Sequence, residues 1–162
     1  MRRLLVVALS ILLAISPVQA APRITAIVDG DTIRLGSGKY VRLIQIDTPE
    51  LQGDECYAVE SKNALANLLN KKGKVRFVTG PELDETDRYG RLLRYIFVGN
   101  RIINLEMVKI GAAAPYFYRG ERGQYAELLL EAAKNAQLAG IGFWGTCPGT
   151  NLQPNGALET KR

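Results

Sequence analysis

Residues 24–50 read ITAIVDGDTIRLGSGKYVRLIQIDTPE. Asp29-Gly30 sits between two runs rich in branched residues, the pattern of a β-hairpin with a tight turn. The arms are Arg23–Val28 and Thr32–Leu35. Gly36-Ser37-Gly38-Lys39 is a second turn, and Tyr40–Ile46 reads as a third strand. Pro49 ends that strand and pushes Thr48 into an extended conformation. Two turns at strand ends can bring Asp31 and Asp47 side by side. Strand parity adds a condition, because Arg42 and Asp47 are five apart and a regular strand puts them on opposite faces. If both serve one site, the chain bends near Ile46 or Asp47 already lies outside the strand.

Working outward, Lys74–Thr79 and Leu92–Val98 are two further strands, followed by the turn Gly99-Asn100 and a short extended piece, Arg101–Ile103. Helical spacing of Ala58, Leu65, Leu68 and Leu69 marks Tyr57–Lys71. A second helix runs from an Asn104 cap to about Ile110, with Gly111 as terminator. A third covers Tyr125–Leu138. The predicted class is α+β, mainly β: five short strands forming a small antiparallel barrel of the OB type, with about three helices packed outside. Spacing alone also fits other small α+β folds. After Pro148 the segment GTNLQPNGALETKR has little apolar content and is expected to be a frayed, flexible tail over residues 149–162.

The chain has 162 residues, enough for one ordinary domain. Arg2 and Arg3 precede the apolar run Leu4–Ile15, and Val18-Gln19-Ala20 matches a signal-peptidase site. Residues 1–20 are thus expected to be a signal peptide, with a folded domain over 21–148 and export to the periplasm or the medium. A run this short falls below the ~20 residues a spanning helix takes, so no anchor is expected after processing. Removing Arg2 and Arg3 lowers the formal charge from +5 to +3, which permits nucleic-acid binding without arguing for it. Cys56 and Cys147 are the only cysteines. In an oxidising compartment they are expected to pair, adding ~4–5 kcal/mol by chain entropy; two free buried thiols are the alternative. Two distant cysteines with no histidine cannot fill a zinc site.

The chemistry-bearing residues are carboxylates and arginines. Asp31, Asp47 and Glu50 offer oxygen donors suited to a hard cation such as calcium or magnesium. Asp-Gly-Asp-Thr taken alone is an ordinary hairpin turn. Arg42 lies inside an apolar strand, and Arg91 follows the turn Tyr89-Gly90. Hydrolysis of a phosphodiester uses all of these. Guanidiniums neutralise charge gathering on phosphate oxygens, a cation activates water, and a carboxylate takes the proton. Glu50, set apart from the aspartates by Pro49, is the natural base. Tyr89, Tyr116 and Tyr118 lie near Arg88, Arg91 and Arg119, where tyrosines stack bases or simply pack.

VDGDTIRL, RLIQIDTPE, DRYGR (87–91), INLEMVKIGAAAPYFY (103–118) and GFWG (142–145) together resemble the staphylococcal nuclease-like (thermonuclease) family. The similarity runs from about Ile24 to Trp144. It implies an OB-fold barrel and Ca2+-dependent endonucleolytic cleavage of DNA and RNA to 3′-phosphates; a monomer is the default expectation. By position, Asp31, Asp47 and the Thr48 carbonyl resemble the metal ligands. Arg42, Glu50 and Arg91 resemble the catalytic set. Arg88, Tyr89, Tyr116 and Tyr118 resemble the substrate pocket. The segment after Glu50 is shorter than in the best-known member, and the pair Cys56 and Cys147 has no counterpart there. A non-catalytic OB domain that only binds nucleic acid is the alternative reading, and this chain lacks the losses at site positions that such domains show.

Overall fold

The computed structural model describes residues 22–160; the expected signal peptide lies outside them. The strands are β1 (Ile24–Ile27), β2 (Thr32–Leu35), β3 (Tyr40–Leu43), β4 (Ile46–Asp47), β5 (Val75–Val78), β6 (Leu92–Val98), β7 (Arg101–Ile102) and β8 (Ala114–Pro115). The helices are α1 (Ala58–Leu69), α2 (Ile103–Lys109), α3 (Ala126–Leu138) and the short α4 (Phe143–Thr146). Among the described residues no helix is long and apolar enough to cross a membrane.

Strands β1, β2, β3, β6 and β5 follow one another in a curled sheet, a five-stranded half-barrel with helices against it. This is the α+β, mainly β, OB-like architecture that the sequence predicts. One pairing departs from the antiparallel expectation: β3 and β6 run parallel, Val41 opposite Leu92 and Leu43 opposite Arg94. The long connection through α1 and β5 permits this, since parallel neighbours need a crossover. Ile33, Val41, Leu43 and Ile96 face inward and meet Leu65 of α1, Met107 of α2 and Leu129 of α3. In α1 the buried positions are Ala58, Ser61, Leu65 and Leu68, one stripe at helical spacing.

The predicted third strand is broken. After β3 the chain turns at Ile44-Gln45, and Gln45 takes the left-handed φ of 66° before β4 begins. The parity conflict between Arg42 and Asp47 is resolved by this break. Asn104 is not the cap of α2 but lies inside its first turn, fully buried. Its Oδ1 accepts from the Ile96 N–H at 2.9 Å, and its Nδ2 donates to the Ile44 carbonyl at 2.9 Å. A buried amide satisfied this way ties β6 to the turn and holds the break in place. Cys56 and Cys147 are bonded, joining the approach to α1 with the end of α4.

The segment after Pro148 differs from the expected frayed tail. Its described residues, 149–160, form no helix or strand, yet they lie against the barrel: the Phe117 N–H donates to the Pro154 carbonyl at 2.6 Å. Leu158 is buried with Ala114, Phe143 and Cys147. The Thr160 hydroxyl donates to the Cys56 carbonyl at 2.8 Å. Its few apolar residues suffice because backbone groups carry most of the attachment.

Candidate active site

Asp31 ends the β1–β2 turn. Its N–H donates to Asp29 Oδ1 at 3.0 Å, an Asx-type contact that fixes the turn, and the Thr32 hydroxyl donates to Asp31 Oδ1 at 2.8 Å. Gly30 is required beneath it: a Cβ there would come within 2.8 Å of Ser61 Cβ on α1 and of Thr48 Oγ1. Close packing of turn, helix and β4 end thus depends on that glycine.

Arg42 reaches from β3 into this corner. Its Nη2 pairs with Asp31 Oδ2 at 3.0 Å and with Asp47 Oδ1, and its Nη1 donates to the Ile46 carbonyl at 2.9 Å. The three side chains are 13%, 6% and 12% exposed, so this is a nearly dry ion cluster. Asp47 Oδ2 also accepts from the Leu158 N–H at 2.8 Å, a contact with the C-terminal segment. Thr48 is buried beside Asp47, and Glu50 is exposed just beyond Pro49.

Negative charge exceeds positive charge here. Burial, with added repulsion from Asp31, lifts the Asp47 carboxyl to about 6 even though Arg42 and the Leu158 amide pull it down. Asp29 is likewise raised to about 6 by burial and by Asp31. Although Glu50 as a whole is exposed, its carboxyl is half-buried against this corner and is raised to about 7, by that burial first and then by the charges of Asp31, Asp29 and Asp47. Burial opposes the charge on Arg42, but Asp31 and Asp47 outweigh it and raise its pKa. Such a corner gains from a further cation. Its donors are all oxygen, which fits calcium or magnesium. Among the described residues no three Asp, Glu, His or Cys side chains cluster closely enough to hold an ion by themselves. A cation between Asp31 and Asp47 would therefore also need backbone oxygen, such as the Thr48 carbonyl, and water.

Arg91 comes from the turn before β6. Asp87 organises that turn: its Oδ1 accepts from the N–H groups of Tyr89 and Arg91, and its Oδ2 accepts from Arg91 Nε at 2.7 Å. Burial opposes the Asp87 charge, but its bonds to Arg91 win and hold the carboxyl below its ordinary value. The Arg91 guanidinium also lies 5.4 Å from the Tyr89 ring centre. Arg88 donates to the Tyr89 hydroxyl at 2.6 Å.

Arg42, Asp47, Glu50 and Arg91 open onto one cavity of about 590 Å³, whose other walls include Arg88, Tyr89, Tyr116 and Tyr118. Asp31 and Thr48 stand behind this surface, and the disulfide lies outside it. Arg42 lies 5.7 Å from the Tyr116 ring centre, and Arg119 lies 5.1 Å from that of Tyr118. Three contributors escaped the sequence reading. Asp87 was legible as an Asx turn within DRYGR. Gln45 and the 157–159 segment also line the cavity, and no local pattern marks either.

The family model described as Staphylococcal nuclease homologue matches residues 40–146. Similar proteins include the thermonuclease of Staphylococcus intermedius, 31% identical over 126 residues, covering 73% of this chain and 72% of the relative. The thermonuclease of Staphylococcus hyicus is 31% identical over 130 residues, covering 75% and 74%. An uncharacterized endonuclease of Haemophilus influenzae is 36% identical over 126 residues, covering 75% of this chain and 65% of the relative. The match spans β3 through α4, the region that holds Arg42, Asp47, Glu50 and Arg91, and the chain belongs to the staphylococcal nuclease homologue family.

Proposed function

We propose that this protein is an exported, calcium-dependent endonuclease that hydrolyses phosphodiester bonds of DNA and RNA and leaves 3′-phosphates. The observation that carries the reading is the buried Asp31–Arg42–Asp47 cluster opening onto a cavity whose walls also hold Glu50 and Arg91. In this reading Asp31, Asp47 and the Thr48 carbonyl hold calcium, which when bound supplies positive charge at the phosphate and activates water. Arg42, whose Nη2 bridges the two aspartates, would yield them to the cation and turn to a phosphate oxygen at the floor of the cavity. Arg91, fixed through Nε by Asp87, meets it from the wall. Together the two guanidiniums offset the charge that grows as water adds to phosphorus. Glu50, on the cavity wall beside this corner, is placed to take the proton of that water. The P–O5′ bond then breaks, the 5′ oxygen takes a proton from solvent, and the phosphate stays on the 3′ side. Tyr89, Tyr116, Tyr118 and Arg88 hold the neighbouring nucleotide by stacking and charge.

The test is digestion of end-labelled DNA and RNA by residues 21–162 with calcium and with chelator. Calcium-dependent cleavage to 3′-phosphates is expected. Binding without cleavage under any divalent cation would replace this reading with a nucleic-acid-binding module.

A further inference from the structure

Gln45 holds both ends of one loop. It sits between Arg42 and Asp47 at the chain break, is 5% exposed, and keeps a left-handed backbone that disfavours any side chain. Its carbonyl accepts from the Tyr116 N–H at 3.0 Å, extending the β4–β8 ladder by one residue. Its side chain turns the other way. Nε2 donates to the Glu121 carbonyl at 2.8 Å, and Oε1 accepts from the Gly123 N–H at 2.8 Å. Segment 116–123 therefore leaves from the backbone of Gln45 and returns to its amide. Between those points stand Tyr116, Tyr118 and Arg119, all lining the cavity.

We propose that Gln45 is a positioning residue for substrate. It fixes the 116–123 wall at a set distance from Arg42 and Asp47, and so sets how a nucleotide lies relative to the phosphate centre. This rests on the nuclease reading above. A glycine would hold the backbone here more easily, so the side chain is retained against a conformational cost. Neither Asn nor Ala can span both partners: Asn is one methylene short and Ala has no amide. The cavity side chains on the loop have no comparable tie to the Arg42–Asp47 corner. Arg42 meets the Tyr116 ring only by a 5.7 Å cation–π contact, and Phe117 is tied to the C-terminal segment instead.

Gln45→Gly separates positioning from folding, because it relieves the backbone while deleting the amide. The melting temperature should fall by no more than roughly 10 °C, because relief of the left-handed backbone partly offsets the loss of two part-buried hydrogen bonds. The Gly123 amide should exchange with deuterium at least tenfold faster, while the Tyr116 amide, bonded to the retained carbonyl, keeps its protection. KM for a 5′-phosphorylated oligodeoxynucleotide should rise about tenfold with kcat within twofold, the mark of a lost ground-state contact. Unchanged KM, a still-protected Gly123 amide, or a fall in kcat as large as the rise in KM would each overturn the positioning role. If wild type does not cleave, the nuclease reading has failed. Anisotropy with a labelled copy of the same oligonucleotide then decides: tenfold weaker binding by Gln45→Gly supports the role, and equal binding overturns it. A wild type that neither cleaves nor binds the probe overturns both.

Discussion

Calcium should stabilise this protein strongly at pH 8 and weakly at pH 5. Asp29 and Asp47 are raised from 3.8 to about 6 without a cation. The folded state therefore binds these protons more tightly than the unfolded chain. Their contribution to stability is fully present below about pH 4 and is lost as pH climbs through about 6. A cation beside Asp31 and Asp47 offsets that loss, but below pH 6 it must first displace protons. At calcium equal to 100 times its pH 8 dissociation constant, linkage gives about 2.7 kcal/mol. At pH 5, displacing one proton from a group of pKa about 6 weakens binding about tenfold, and two protons about a hundredfold. The same calcium then supplies only about 0.4–1.4 kcal/mol. For a domain of this size the rise in melting temperature should be roughly 10 °C at pH 8 and roughly 2–5 °C at pH 5. Thermal melts followed by circular dichroism, with calcium and with chelator at each pH, measure both. A calcium shift that is absent, or equal at the two pH values, would refute the assignment of the ion to this carboxylate corner.

Four further outcomes are expected. Arg42→Met leaves Asp31 and Asp47 facing each other and should cost about 3–5 kcal/mol at pH 8, with a smaller loss at pH 5 where Asp47 is protonated; equal losses in denaturant melts would contradict this. Glu50→Gln and Arg91→Ala should each lower kcat by about a hundredfold or more while the circular dichroism spectrum stays native, and unchanged turnover in both would remove them from the catalytic set. A chain ending at Gly149 loses Leu158, whose burial is worth about 1.5–3 kcal/mol, and the amide on Asp47; denaturant melts should show a loss of at least that size, and unchanged stability would show that the segment's attachment is idle. Reducing Cys56–Cys147 should lower stability by up to about 4–5 kcal/mol, read as the shift in a guanidinium melt after alkylation, and no shift would mean the unfolded chain gains nothing from release.

The parts legible in sequence are those set by short-range rules. Asp29-Gly30, Pro49 and Asn100 punctuate the strands, and the stripe along α1 follows from a 3.6-residue period. Arg42 stood out as a charge within an apolar strand, and the structure brings it to the aspartates. The rest depended on partners far away in the chain. Nothing local to Gln45 announces a left-handed residue, since the break is held by Asn104 some 60 positions away. Asn104 looked like a cap because capping is what an asparagine does near a helix start; tertiary hydrogen bonds claimed it instead. The tail was read from its low apolar content, whereas its attachment runs through backbone groups and one leucine.

The disulfide has a consequence for the producing cell. Leu158 is buried in one cluster with Cys147, and the Thr160 hydroxyl donates to the Cys56 carbonyl, so the segment that bonds Asp47 is attached beside a sulfur bridge. That bridge persists only where thiols are oxidised. In a reducing compartment the same chain keeps every carboxylate and arginine of the corner but loses the covalent support beneath its C-terminal edge. If the chain is exported as proposed, a nuclease built this way would be weakest where its maker keeps its own genome and would gain full strength only after leaving it.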